Sequence, residues 1–283
     1  MGETFKAACV QNCAGPDMML NLNHSVEMIK KARDMGADLI TLPEFFCCLD
    51  VNDAGLQTGS CPEVDHPGIP LLCDTARETG AWVLAGSFAI DGNSVDSRSR
   101  NRSMMIAPDG SINARYDKIH MFDVELGNGE SYKESDKFEP GTEAVLAETP
   151  WGPLGMTVCY DLRFAYLYRA LAQAGAMYLS VPAAFMRTTG QAHWHTLLRA
   201  RAIETGCYVI APCQYGTHGR AITYGHSLIV DPWGTVLADG SGEDEDIIIA
   251  EIDSSKVDAA RRKIPALEHD RPFEGDFEGS LKD

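Results

Sequence analysis

The sequence predicts an α/β fold in which a mixed β-sheet is layered with helices. Three observations carry this: short runs rich in Val, Ile and Ala recur along the chain, helical segments fall between several of them, and turn motifs join others directly. The runs are FKAACV, DLITL, AWVLAGSF, SMMIAP, LGMTVCY, MYLSVPA, CYVIAPC, HSLIVD and IIIAEI. Their hydrophobicity is mostly unbroken, which is the pattern of strands covered on both faces.

The helical segments follow the 3.6-residue spacing of apolar positions. NLNHSVEMIKKARDMG ends at a stop signal, Gly36, and GIPLLCDTARETG, FAYLYRALAQAGA and AHWHTLLRARAIETG follow the same pattern. Pro108-Asp109-Gly110 and Asp231-Pro232-Trp233-Gly234 have the residues of hairpin turns. The loosest stretch, residues 91–101, reads as a turn between two strands. Its Arg98, Arg100 and Arg102 are read as solvated turn residues in preference to a small anion site. With no linker, repeat or low-complexity tract, residues 1–269 form one unit. Residues 270–283 are polar and contain Pro272 and Gly275, as a disordered tail or an arm packed on a partner subunit would.

Composition limits the function classes. A chain of 283 residues that is 45% hydrophobic and 23% charged can bury a substantial core. A net charge of -17 repels phosphate backbones and speaks against a nucleic-acid partner. No apolar run is long enough to span a bilayer, so no membrane partner is expected. The nine cysteines are odd in number and none has C-x-x-C spacing, which suits neither a disulfide framework nor a zinc knuckle. The start MGETFKAACV has no basic-then-apolar leader. A reduced, cytoplasmic protein is expected.

Three strand ends carry reactive groups. DLITLPEFF turns at Pro43 and presents Glu44, ARYDKIHMF places Lys118 just after a strand, and PLGMTVCYDLRF ends a strand at Cys159. A cysteine at a strand-to-helix turn lies near backbone N–H groups outside the sheet ladder, and such donors favour a thiolate and stabilise an oxyanion. Glu44 has the chemistry of a base for the thiol, Lys118 that of an electrostatic partner, and Glu134 could hold Lys118 charged and aimed. The backbone N–H of Tyr160 is a candidate oxyanion donor. Judged singly, such a cysteine is an ordinary core residue and such charges are solvated. Spacing alone does not bring positions 44, 118, 134 and 159 together.

Other motifs carry less. His193 and His195 do not have the spacing of metal ligands on one helix face and have no carboxylate pair beside them in sequence, so structural or helix-start roles are expected. Gly127-Asn128-Gly129 is not followed by the G-K-[ST] of a phosphate loop. Gly225-His226-Ser227-Leu228-Ile229 lacks the last glycine of a serine-hydrolase elbow. Arg163 either pairs with Asp161 to hold the turn or binds a substrate carboxylate. Phe185, Arg187 and Arg220 are further candidates for substrate contact.

Taken together, LPEFF, YDKIHMFD, KES, VCYDLRF and GHSLIVDPWG resemble the nitrilase superfamily of carbon–nitrogen hydrolases, in order from about Phe5 to about Ile252. The resemblance implies a four-layer α-β-β-α sandwich and a triad of Glu44, Lys118 and Cys159 with Glu134 as auxiliary. It also implies a homodimer or higher homo-oligomer, and chemistry that needs no metal or organic cofactor. AHWHTLLRARAIETGCYVIAPCQYG, RAITYGHSLIVDPWGTVLADG and RRKIPALEHDRP are most similar to the branch that acts on deaminated glutathione, and to the ω-amidases of 2-oxoglutaramate. The implied reaction hydrolyses the terminal C–N bond of a small carboxylated amide through a thioester, with release of ammonia. True nitrilases usually carry Cys-Trp-Glu where this chain has Cys159-Tyr160-Asp161, and N-carbamoyl amino-acid amidases share the general plan with a different nucleophile block. A non-catalytic scaffold of the same fold is the alternative from another class.

Overall fold

A computed structural model describes residues 4–53, 55–92, 98–127 and 130–272. Two six-stranded mixed sheets form its centre. In spatial order the first runs Asp246–Asp253, Thr4–Gln11, Leu39–Thr41, Trp82–Asp91, Ser99–Ile106 and Ile112–Asp117. The second runs Val145–Ala147, Leu154–Met156, Tyr178–Ser180, Tyr208–Ala211, Leu228–Val230 and Val236–Asp239. Each has three central parallel strands flanked by antiparallel ones.

The layering follows from strand alternation. Side chains on a strand point to opposite faces in turn. In Thr4–Gln11, Ala7 and Cys9 join a core that also holds Met156, Tyr178, Val209 and Ile229 of the other sheet. Ala8 and Val10 join a second core with Leu22, Ile29, Leu72 and Ala76, from helices α1 (Met18–Asp34) and α2 (Gly68–Thr79). Helices α3 (Ala165–Gln173) and α4 (Arg187–Thr205) bury Leu171, Trp194 and Leu198 on the second sheet. The result is helix, sheet, sheet, helix. Strands wrapped on both faces need no polar side, hence their unbroken apolar runs.

The nine strand runs and both named hairpins are present. The run LGMTVCY is ladder only over Leu154–Met156, and Cys159 lies beyond it on a 3-10 turn, Cys159–Arg163. Helix α4 starts at Arg187, earlier than its apolar pattern, because Gly190 weakens the helical signal. A Cβ there would stand 2.4 Å from the Tyr224 ring, so close packing selects glycine within the helix. Helix α5 (Ser255–Lys263) gives little apolar signal in the sequence, because only Val257 and Ala260 of it are buried. The strands Trp82–Asp91 and Ser99–Ile106 flank the expected turn, of which residues 93–97 lie outside the described residues. Arg100 and Arg102 are not turn residues. They stand on the strand Ser99–Ile106 and are ion-paired with Glu139, Asp117 and Glu63. The described start of the tail lies against α3, where Arg169 and Gln173 bond Asp270; residues 273–283 lie outside the described residues.

His66 sets one limit on stability. It is 1% exposed, its ring meets Phe88 edge-on at 4.7 Å, and its Nδ1 accepts the Gly68 N–H at 3.1 Å. Burial disfavours the imidazolium and lowers its pKa from 6.5 to about 4. The unfolded chain thus takes up a proton near pH 6.5 that the folded chain refuses until about pH 4, and stability falls with pH across that window. His66→Asn, which keeps an acceptor for Gly68, is expected to lose about 2–3 kcal/mol less than the native protein between pH 7 and pH 4, measured by urea unfolding.

Candidate active site

Four side chains from four connections meet at one end of the sheets. The strand Leu39–Thr41 ends, the chain turns at Pro43, and Glu44 points inward, 3% exposed. Gly86 makes the turn possible: a Cβ there would stand 1.8 Å from the Pro43 carbonyl oxygen. Lys118 follows the strand Ile112–Asp117, and its backbone is fixed by Lys118 N–H to Asn101 O at 2.9 Å and Gly141 N–H to Lys118 O at 2.8 Å. Glu134 opens the 3-10 turn Glu134–Asp136 after the hairpin of Asp123–Gly127 and Glu130–Lys133. Cys159 opens the 3-10 turn at the end of the other sheet. Lys118, Glu134 and Cys159 are also buried, so charges on the four groups are screened less than at the surface.

Lys118 joins them. Its ammonium donates to Glu44 Oε1 at 2.9 Å, to Glu134 Oε1 at 3.0 Å and to Glu134 Oε2 at 2.8 Å. Asn101 Nδ2 bridges the same carboxylates, at 2.8 Å to Glu44 and 3.2 Å to Glu134. Glu44 Oε2 accepts the Ala184 N–H at 2.9 Å, and Glu134 Oε2 accepts the Phe122 N–H at 2.6 Å. Burial alone would discharge Lys118, but the charges of Glu134 and Glu44 outweigh it and hold its pKa well above the ordinary value. Burial raises the pKa of Glu134 against the pull of Lys118. Burial and then the charge of Glu44 push the Cys159 thiol well up, against Lys118. These surroundings favour the thiol at Cys159 over the thiolate that a turn position suggests.

The turn at Cys159 is strained. Cys159 has φ +48°, in the left-handed region, and its N–H donates to Pro182 O at 2.9 Å, so that donor is committed. Asp161 braces the turn: Oδ2 accepts from Val158 N–H at 2.9 Å and Tyr116 O–H at 2.6 Å, and Oδ1 accepts from His120 N–H at 3.1 Å. Asp161 does not pair with Arg163 as one sequence reading had it, because Tyr116 and His120 occupy its oxygens. Arg163 lies over the rings of Tyr160 and Phe185, 5.6 and 5.3 Å from their centroids.

A cleft of about 340 Å³ opens above the set. Phe185 and Tyr160 line it; Arg163, Arg187 and Arg220 are not among its lining residues, and Arg220 is exposed and paired with Asp53. Sequence reasoning missed Asn101, Thr189 and the cleft residues Lys133 and Lys137. Asn101 had one available signal, a polar side chain on a strand otherwise running into an apolar core. His195 lies within α4, where the fold brings the carboxylate that its sequence neighbourhood lacks: Asp239 bonds His195 at 3.1 Å and His226 at 2.9 Å.

The carbon-nitrogen hydrolase family model matches residues 6–262. The chain belongs to this family. As a carbon–nitrogen hydrolase it acts on C–N bonds other than peptide bonds. It is similar to a deaminated glutathione amidase of Synechocystis, 39% identical over 94% of this chain and 97% of that one. It is also similar to that of Homo sapiens, 38% identical over 97% and 84%. Among solved structures, the Caenorhabditis elegans NitFhit protein superposes with TM-score 0.86 at 35% identity over 95% of this chain and 66% of that one. Saccharomyces cerevisiae Nit3, a nitrilase-superfamily member, does so with TM-score 0.82 at 27% identity over 94% and 96%. The four-layer sandwich is thus the fold of this hydrolase.

Removing the central cation from this carbon–nitrogen hydrolase strands two buried carboxylates. Lys118→Met is expected to lose about 3–5 kcal/mol of stability, read from the urea midpoint. Adding Glu134→Gln to that variant should restore part of the loss, since only one buried carboxylate then lacks a cation.

Proposed function

We propose that the protein is a cysteine-dependent amidase with Cys159 as nucleophile, Glu44 as acid–base, and Lys118 and Glu134 as their electrostatic support. One observation carries the reading: a single buried ammonium bonds both Glu44 and Glu134 beside a buried thiol at the floor of a cleft. The Cys159 sulfur attacks the amide carbon as its proton passes to Glu44, and the carbonyl electron pair moves onto oxygen. The three Lys118 donors are engaged by carboxylate oxygens, so its charge acts on the oxyanion through space. The Tyr160 N–H, at the second position of the 3-10 turn and without a partner inside it, is the direct donor. When the C–N bond breaks, Glu44 returns the proton to the leaving nitrogen. It then takes a proton from water, whose oxygen displaces the sulfur, and the proton returns to Cys159.

Deaminated glutathione is the substrate best supported, because relatives bearing that name match over nearly the whole chain. 2-Oxoglutaramate is the second. Their products differ. Glutathione contains no primary amide, so its deaminated form frees an amine, whereas 2-oxoglutaramate frees ammonia. The left-handed Cys159 argues against a scaffold, since a core cysteine gains nothing from that strain.

Two further readings belong to this proposal. The nine free cysteines suit a reducing compartment such as the cytoplasm, and no helix among the described residues is long and apolar enough to cross a membrane. The exposed side chains of Tyr166, Ile203, Trp233 and Ile264 support a homo-oligomer.

Product analysis by mass spectrometry tests the reaction. The native protein is expected to free the amine from deaminated glutathione faster than ammonia from 2-oxoglutaramate. Cys159→Ala should abolish both while circular dichroism stays native. Turnover by Cys159→Ala would sink the mechanism.

A further inference from the structure

The cleft changes sign from floor to mouth. At the floor, Glu44 and Glu134 outnumber Lys118. At the mouth the charged lining residues are Lys133, Asp136 and Lys137, with the cations in excess. This is a local reversal in a chain of net charge -17, whose surface otherwise repels anions. Both lysines come from the segment that carries Glu134, so one stretch of chain sets both signs. Along it Glu134 turns inward to Lys118 while Lys133, next to it, turns outward.

The two mouth cations are available. Among the described residues the Lys133 ammonium is ion-paired with an exposed i,i+3 partner, Asp136 Oδ1 at 3.1 Å, with side chains 68% and 63% exposed. Such a pair contributes little and exchanges readily. Lys137 is exposed and donates to the neutral Leu56 carbonyl, a weaker acceptor than a carboxylate. Between floor and mouth the walls are apolar, with Leu56, Phe122 and Tyr132 among them. A ligand suited to this cleft has a reactive carbonyl at one end, an apolar middle and an anion at the other.

We propose that Lys133 and Lys137 form a distal anion subsite that takes a carboxylate on the leaving-group side of the substrate. The assignment rests on the amidase reading above and deepens it. An amide whose leaving group is ammonia carries nothing to the mouth. One whose leaving group is a carboxylated amine reaches both lysines, so the subsite selects the longer class and holds its amine portion until the C–N bond breaks.

The test is a selectivity ratio. Turnover of deaminated glutathione is compared with that of its analogue in which the terminal carboxylate is capped as a carboxamide, for the native protein and for Lys133→Met/Lys137→Met. The native protein is expected to prefer the free carboxylate by about 10- to 100-fold in kcat/KM, mostly through KM, as suits charge-assisted bonds. In the double variant the ratio should fall to near one, and Lys133→Arg/Lys137→Arg should restore it. A native ratio near one, or a ratio unchanged in the methionine variant, overturns the subsite. If the native protein turns over neither compound, the amidase reading fails by itself. Calorimetric binding of both compounds to Cys159→Ala, with and without the lysine changes, then decides the subsite: a preference for the free carboxylate that the lysines confer upholds it, and equal binding overturns it.

Discussion

The site depends on one ammonium held between two carboxylates out of water. Each ion alone would carry a large desolvation cost; together they are stable only while the geometry lasts. Lys118 needs both partners because burial would otherwise strip its proton, and Lys118 in turn opposes the rise in pKa that burial imposes on Glu134. The arrangement therefore fixes protonation states as well as positions. It sets the Glu44 carboxyl group and the Cys159 thiol side by side at the floor of the cleft.

That constraint explains the layered architecture around it. Glu44 and Lys118 leave strands of one sheet, and Cys159 leaves a strand of the other. Their meeting requires the sheets to pack face to face in one register, which the shared core of Ala7, Cys9, Met156, Tyr178 and Val209 provides. The Ala184 N–H on Glu44 ties the halves again beside the reacting groups. Tyr116, two residues before Lys118, donates to Asp161, two after Cys159. Cross-links of this kind place Glu44 and Cys159 on a shared rigid frame, so a small shift between sheets would separate them.

Much of this was legible in the sequence. Doubly covered strands announce themselves by unbroken apolar runs, and the turn motifs around Pro108 and Pro232 mark their hairpins. Glu44, Lys118, Glu134 and Cys159 were candidates on chemistry, but only the ordered family blocks grouped them, since strand-end residues far apart in sequence give no local sign of meeting. What stayed hidden was of two kinds. Partnership depended on tertiary contact: Asp161 with Tyr116, His195 with Asp239, Arg102 with Asp117 and Glu63. Protonation depended on burial: a cysteine at a turn suggested a thiolate, whereas burial and the neighbouring Glu44 push the thiol pKa up.

The left-handed backbone at Cys159 sets conformation against residue type. Apart from the pull of its chemistry, that position would be better served by glycine, which adopts the conformation at no steric cost. Phe45 and His226 share that region of backbone space, so the conformation belongs to tight turns and not to one side-chain chemistry. At Cys159 backbone geometry and side-chain identity therefore pull apart: glycine would relax the turn and remove the sulfur in the same change.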